Sequence, residues 1–344
     1  MTDFNSTRYR KIHGLENFRA FSENDKWADT SISPEDRKQL RYILSIKWTP
    51  SIIKEIERIF PDRSEPKDEN DNKPKYVVSE KVDGANLGFT VDLEEKKSHY
   101  RSRNKILANE KDKKSFFDCG ETLRDYEPYL RSTIDQAIEK KLIPKEAVVV
   151  TQFSEIIGKG NGSKDRNYFN SKDHSLELVP IDLRYRVEGQ GYQSVPHTEN
   201  WWNVDMEGFK IAQQAPKPLL VTKNLGAALE YIVKSRNTKS TLCDLIEPDE
   251  CGNAVKEGCI LRVFKKDEPD EIYKYVYSSG IAVKKFEKEL KDVVANAITH
   301  NGSNFDVEEV ASEAVTTFIE ELKDNPALIQ IARKLALEIK ENMD

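Results

Sequence analysis

The stretch from Tyr76 to Val91 constrains the fold more than any other part of the chain. The apolar run Tyr76-Val77-Val78 reads as a strand over Tyr76–Glu80. Ala85–Val91 alternates as Leu87, Phe89 and Val91, the period-two pattern of a second strand. Only Lys81-Val82-Asp83-Gly84 separates them: a charged strand end, then a turn in which Gly84 lets the backbone bend tightly. Further strand-like segments are Ser98–Arg103, Lys145–Phe153 with its buried-strand run Ala147-Val148-Val149-Val150, Leu176–Leu183, Cys259–Phe264 and Glu271–Tyr277. Helical spacing covers Glu121–Lys140 and Asn224–Arg236, the latter through Leu225, Leu229 and Ile232. Residues 8–60 read as helices and short loops, and the polar stretch from Pro61 to Pro74 as a surface loop. From Ala282 onward the pattern is helical, and Pro326 can open a last helix with Leu328, Ile331, Leu335 and Ile339 on one face. The expectation is an α+β body over residues 1–280 and a small helical C-terminal domain over 281–344.

A chain of 344 residues can bury one large core or two smaller ones. Charged residues make up 33% and hydrophobic ones 38%, the balance of a polar globular protein. No apolar run approaches the ~20 residues that cross a bilayer. Met1-Thr2-Asp3-Phe4-Asn5 has neither the basic start nor the apolar core of a secretion signal. The four cysteines, Cys119, Cys243, Cys251 and Cys259, form no CxxC pair, which points to reduced thiols and a cytoplasmic protein. The Asn-Gly-Ser triplets at Asn161 and Asn301 are then ordinary loops. The net charge of −6 argues against indiscriminate coating of nucleic acid. Locally the balance reverses: Lys96–Lys114 holds eight Lys or Arg against Glu110 and Asp112, a stretch that could meet phosphates or simply be solvated.

Lys81, followed by Asp83 and Gly84, has the residue types that covalent nucleotidyl transfer requires. A lysine amine attacks phosphorus only after losing its proton. Since an unperturbed lysine has a pKa of ~10.4, such a nucleophile needs burial or a neighbouring cation to free the amine. Four residues prove little alone, but four further segments follow in order. They are Arg101-Ser102-Arg103-Asn104, then Phe153-Ser154-Glu155-Ile156-Ile157-Gly158-Lys159-Gly160, then Glu257-Gly258-Cys259-Ile260-Leu261-Arg262, and Tyr273-Lys274-Tyr275.

This ordered set resembles the covalent nucleotidyltransferases, the DNA ligases, RNA ligases and capping enzymes. Within them it is most similar to the phage-type RNA ligase 2 family, which includes the RNA-editing ligases. Tyr9-Arg10-Lys11-Ile12-His13-Gly14-Leu15-Glu16-Asn17 resembles that family's N-terminal Tyr…Leu-Glu-Asn signature, and Ser154–Gly160 its Gly-Glu-x-x-Gly-x-Gly stretch. The tail after Lys274 is 70 residues and mostly helical in pattern, whereas DNA ligases and capping enzymes continue into an OB-fold. The resemblance implies a nucleotidyltransferase body, ATP-grasp-like, of antiparallel sheets flanked by helices. It implies ATP with Mg²⁺ or Mn²⁺ as cofactors, and RNA with nicked or bridged duplex ends as partner. In that reading Lys81 takes up AMP and Arg103 contacts the nucleotide sugar or the RNA 5′-phosphate, with Arg101 the near alternative. Glu155 accepts from the ribose hydroxyls and Glu257 is tied to the divalent metal. Arg262 stands on the phosphates, and Lys274 near the α-phosphate.

Two positions depart from the family pattern. Val179-Pro180-Ile181-Asp182 puts Ile181 where an aromatic usually stacks on adenine. Lys274-Tyr275-Val276 lacks the second lysine of Lys-x-Lys, a place that Lys284 or Lys285 could fill. The rival readings are a DNA ligase or GTP-using capping-type enzyme, and an RNA-binding protein that has lost turnover. His13, His99, His174, His197 and His300 show no metal-ligand spacing, and Trp201-Trp202 reads as core or a loop anchor rather than a base-stacking platform.

Overall fold

The computed structural model describes residues 9, 12–22, 31–46, 49–65, 74–158, 168–170, 175–196, 199–214, 217–236, 238–252, 254–265 and 270–277, and in the C-terminal part 293–295, 298, 306–318, 333 and 336–337. In chain order the elements are β1 (His13–Gly14), α1 (Pro34–Ile46), α2 (Thr49–Ile59), β2 (Lys75–Lys81), β3 (Ala85–Asp92), β4 (Ser98–Ser102), α3 (Glu110–Ser115) and α4 (Gly120–Glu139). There follow β5 (Ala147–Ile157), β6 (Glu177–Val187), β7 (Gln193–Ser194), α5 (Lys210–Gln214), β8 (Leu220–Thr222), α6 (Leu225–Lys234), β9 (Gly258–Phe264), β10 (Glu271–Val276) and α7 (Val307–Phe318).

The strands form two five-stranded sheets, ordered β1-β10-β9-β2-β8 and β4-β3-β5-β6-β7. Every pairing is antiparallel except that of β1 with β10. The architecture is α+β, antiparallel sheets flanked by helices. On the first sheet, Tyr76 and Val78 of β2, Leu261 and Val263 of β9, and Tyr273 and Tyr275 of β10 pack with Leu40 and Leu44 of α1, Ile56 of α2, and Leu229 and Ile232 of α6. On the second, Leu87, Phe89, Val150 and Leu183 meet Leu123, Tyr126, Leu130 and Ile134 of α4, whose i, i+3, i+7, i+11 spacing forms one apolar stripe. Trp201 and Trp202 lie fully buried in this core, where the Tyr129 hydroxyl donates to the Trp202 carbonyl at 2.5 Å. Asn224 caps α6 by accepting from the Ala227 amide at 2.9 Å.

The two strands read from Tyr76 to Val91 are both present, but they belong to different sheets. Lys81-Val82-Asp83-Gly84 is the crossing between them. Val82 is buried in a third apolar cluster with Ile157, Tyr168, Val179 and Leu242, and the Asp83 amide donates to the Tyr168 hydroxyl at 2.9 Å. The chain bends at Gly84 as expected, and a Cβ there would stand 2.5 Å from the Ile156 carbonyl oxygen, so glycine is also what lets the crossing lie against β5. Lys284, Lys285 and residues 66–73 of the polar loop lie outside the described residues. So do Leu328, Ile331, Leu335 and Ile339 of the helix expected from Pro326, of which Arg333, Ala336 and Leu337 are described and are helical. Among the described residues no helix is long and apolar enough to cross a membrane.

Candidate active site

Alternation along β2 sends Tyr76 and Val78 to the helix-covered core and leaves Val77, Ser79 and Lys81 on the opposite face. Cys259, Leu261 and Val263 of β9 face the same core, so Ile260 and Arg262 share the other side with Lys81. The β2–β9 register sets Lys81 against Gly258 and brings the preceding Glu257 to it: Lys81 Nζ makes an ion pair with Glu257 Oε2. On its other side Gly258 meets β10, which comes this close only because residue 258 lacks a Cβ; one would fall 2.1 Å from the Tyr275 carbonyl oxygen. Glu80, next to the lysine, is buried and fully engaged. It accepts from Ser240 Oγ at 2.5 Å, Thr241 Oγ1 at 2.7 Å and the Thr241 amide at 2.8 Å. That anchor fixes the end of β2, and with it the base of the Lys81 side chain.

The second sheet supplies the facing wall. Glu155 of β5 stands opposite Asn86 of β3 and Val179 of β6. Burial pushes its carboxyl up to about 7; Lys81 opposes the shift, and the negative charges of Glu257 and Asp83 add to it. Between Phe153/Asp182 and Ser154/Pro180 the β5–β6 register slips, and Ile181 is the extra residue of a β-bulge. Such a bulge re-aims a side chain, and Ile181 lines the cleft. Arg262 lines it too, but its guanidinium donates to the Ile181 carbonyl at 2.6 Å, Asp182 Oδ1 at 3.2 Å and Asp270 Oδ2 at 3.4 Å. The cleft these walls enclose holds about 450 Å³ including its open mouth. Tyr9, Ile12, Ser79, Glu80 and Ile260 complete its lining with Val82, and the Tyr9 ring lies 4.7 Å from that of Phe153.

The structure therefore brings Lys81, Glu155, Ile181, Glu257 and Arg262 together from four strands and the residue preceding one of them. Arg103 and Lys274 do not line the cleft. Arg103 is exposed just past β4; Ser102 pairs with Leu87, which places Arg103 level with Asn86, two strands or ~10 Å from Glu155. Arg101 is buried on β4. Lys274 pairs with Ile260, which pairs with Ser79, so it occupies the cleft-facing side of β10 at ~12 Å from Lys81 by strand geometry. Ser79, Glu80, Ile12 and Ile260 went unremarked in the sequence as site residues. The signal for Ser79 was present: alternation on β2 puts it on the face of Lys81.

Among the described residues no three His, Cys, Asp or Glu side chains converge into a metal cage. Glu257, in contact with the Lys81 amine, is the carboxylate placed to meet a hard divalent cation that keeps most of its waters and takes few protein oxygens.

No family model and no curated protein matches the sequence. Among solved structures, the chain is similar to an apo mutant of the Naegleria gruberi RNA ligase, at 13% identity over 69% of this chain and 55% of that one, with a TM-score of 0.38. A mutant of the same ligase with ATP and Mn matches at 14% identity, 69% and 56% coverage and a TM-score of 0.37. An archaeal ATP-dependent RNA ligase matches at 16% identity over 77% of this chain and 59% of that one, with a TM-score of 0.34. The chain thus spans well under two thirds of the length of each, and likeness at this level carries no functional weight.

Proposed function

We propose that the chain is an ATP-dependent RNA ligase that joins a 3′-hydroxyl to a 5′-phosphate, with nicks in duplex RNA as its substrate. The reading rests on one observation: a lysine at a strand end, ion-paired to Glu257, at the mouth of a cleft walled by the half-buried Glu155 and the bulged Ile181. In the first step Lys81 Nζ gives up a proton, with Glu257 as its contact, and attacks the α-phosphorus of ATP. An N–P bond forms, the P–O bond to pyrophosphate breaks, and AMP stays on the lysine. AMP then passes to the RNA 5′-phosphate, and the 3′-hydroxyl displaces it. Ile181 and Tyr9 present apolar surface to the base, and Glu155 presents its carboxyl to the ribose. A divalent cation held by Glu257, directly or through water, would supply positive charge to the phosphates and draw that carboxylate from Lys81. Arg103 and Lys274, at the rim, stand within reach of longer phosphate chains.

The test is incubation with α-³²P-labelled ATP and Mg²⁺ or Mn²⁺, with GTP in parallel, followed by a denaturing gel. The expected result is a labelled protein from ATP alone, abolished in Lys81→Ala, with subsequent sealing of nicked RNA in preference to nicked DNA. Label that survives Lys81→Ala sinks the assignment. Absence of label after stripping with pyrophosphate leaves an RNA-binding protein without turnover.

A further inference from the structure

β6 runs past the cleft, beyond Ile181 and Asp182, as Arg184 and Arg186. Register pairs Arg184 with Ser194 and Tyr185 with Gln193, which brings Tyr192 opposite Arg186. The Tyr185 hydroxyl donates to Gln193 Oε1 at 2.8 Å on one face of the hairpin. Arg184, Arg186, Tyr192 and Ser194 share the other. The guanidinium carbons of Arg184 and Arg186 lie 5.7 and 5.9 Å from the centroid of the Tyr192 ring, so two like charges share one aromatic ring. Arg184 also has Asp182 Oδ2 4.0 Å from its Nε. Arg186 forms no ion pair among the described residues. Its Nε, the Tyr192 hydroxyl and Ser194 Oγ are shut off from water and make no hydrogen bond. In the register of the sheet the acid level with Arg186 is Asp92, two strands away across Val149, and its Oδ1 already accepts from the Glu94 and Glu95 amides at 3.1 and 2.9 Å.

Buried donors without acceptors, beside two adjacent cations, call for an anion that accepts several hydrogen bonds at once. A phosphate has the charge and the oxygens; a guanidinium is the side chain that matches it. Arg186 lies five residues past Ile181, ~17 Å along the strand, a span of several nucleotides. We propose that Arg184, Arg186, Tyr192 and Ser194 form a second phosphate site, which holds the backbone of a nucleic-acid strand whose reacting end lies at Lys81. The assignment to a strand end rests on the ligase reading; the anion-binding geometry does not.

The experiment measures binding of a fluorescein-labelled, 5′-phosphorylated nicked RNA duplex to the full chain over a salt series. Arg186→Ala should weaken binding about tenfold and flatten the slope of log K against log salt by about 0.9, one phosphate contact. Arg186→Lys should restore the slope and only part of the affinity, because it keeps the charge without the planar fork. Tyr192→Phe, which removes one hydroxyl, should weaken binding a few-fold. Unchanged affinity and slope in Arg186→Ala overturn the proposal. So does an effect of Arg186→Ala on binding of inorganic pyrophosphate, or of an acidic peptide, with none on RNA. Should Arg186→Ala melt early, Tyr192→Phe and Ser194→Ala carry the same comparison. Lysyl-AMP formation by the unaltered chain separates the two readings. Label without any dependence of RNA binding on Arg186 removes this site alone. Dependence on Arg186 without label removes the ligase and leaves the site.

Discussion

Lys81 and Arg262 stand on the same side of neighbouring strands, yet the protein treats the two cations in opposite ways. Lys81 sits at the strand end with 23% of its side chain exposed and a single carboxylate in contact. Arg262 lies mid-strand, 3% exposed, and three acceptors from β6 and the segment before β10 hold it. A cation with one replaceable partner is able to change partners during a reaction. A buried one with three is a clamp, here joining β9 of one sheet to β6 of the other and fixing the backbone of Ile181. The family resemblance put Arg262 on the phosphates; in the structure its guanidinium donates to Asp182, Asp270 and the Ile181 carbonyl. The mouth of the cleft is thus organised for exchange and its throat for rigidity.

Substitution at each cation should separate these roles. Lys81→Ala is expected to eliminate covalent AMP transfer, at least ~10³-fold, because no other group replaces a nucleophile. It should cost less stability than the loss of a fully buried cation, because the Lys81–Glu257 pair is part-exposed, 23% and 13%, against 3% and 0% for Arg262–Asp182. Labelling and a urea melt on the same preparation check both halves. Arg262→Met should do the reverse in kind: it strands the buried Asp182 and should destabilise the fold by about 3–5 kcal/mol, read as a lower urea midpoint. A midpoint equal to that of the unaltered protein breaks the clamp.

Glu155 sharpens the comparison through pH. Its folded value is about 7 against an ordinary 4.5, so the folded state binds the proton more tightly than the unfolded chain does. Stability is therefore unaffected by this group below about pH 4.5, falls as pH rises from there to about 7, and stays lowered above, by about 3 kcal/mol at most. Glu155→Gln should remove that fall: equal stability at pH 4.5, a more stable variant at pH 8. Equal stabilities at pH 8 would show that Lys81 offsets the burial in full.

How legible this was in the sequence depended on the range of the interactions. The expected helix over Glu121–Lys140 matches α4, found over Gly120–Glu139, to within a residue at each end; alternation found β3, and apolar runs found β2 and β5, which are buried on both faces. Lys81, Glu155 and Glu257 were legible as residue types next to glycines. Partnership was not. Nothing in Lys81-Val82-Asp83-Gly84 shows that β2 and β3 part into different sheets. Nothing local to Glu80 names Ser240 and Thr241, 160 residues on, as its donors. The two- and three-residue strands β1, β7 and β8 were missed because they are too short to show a period. Arg262 was read by its charge, and only the fold reveals the carboxylates that claim it.

The smallest expected effect tests whether the bulge matters to binding. The slip between β5 and β6 gives Ile181 its place in the cleft wall, and its carbonyl is what Arg262 holds. The backbone contact survives Ile181→Ala, so the bulge and the clamp should persist while apolar surface against the base is lost. That loss is worth about 1 kcal/mol at a half-open site, or roughly a fivefold weaker ATP interaction. The rate of lysyl-AMP formation at saturating ATP should hold, since Lys81 stands on β2 and Glu257 just before β9, away from the bulge in β6. Ile181→Phe puts an aromatic at the bulge and should tighten ATP if the pocket admits the ring. Single-turnover labelling over a range of ATP concentrations separates the two parameters. If Ile181→Ala slows the saturated rate as much as it weakens ATP, then Ile181 belongs to the positioning of the phosphates as well as to the wall beneath the base, and the division between mouth and throat is less sharp than the contacts alone suggest.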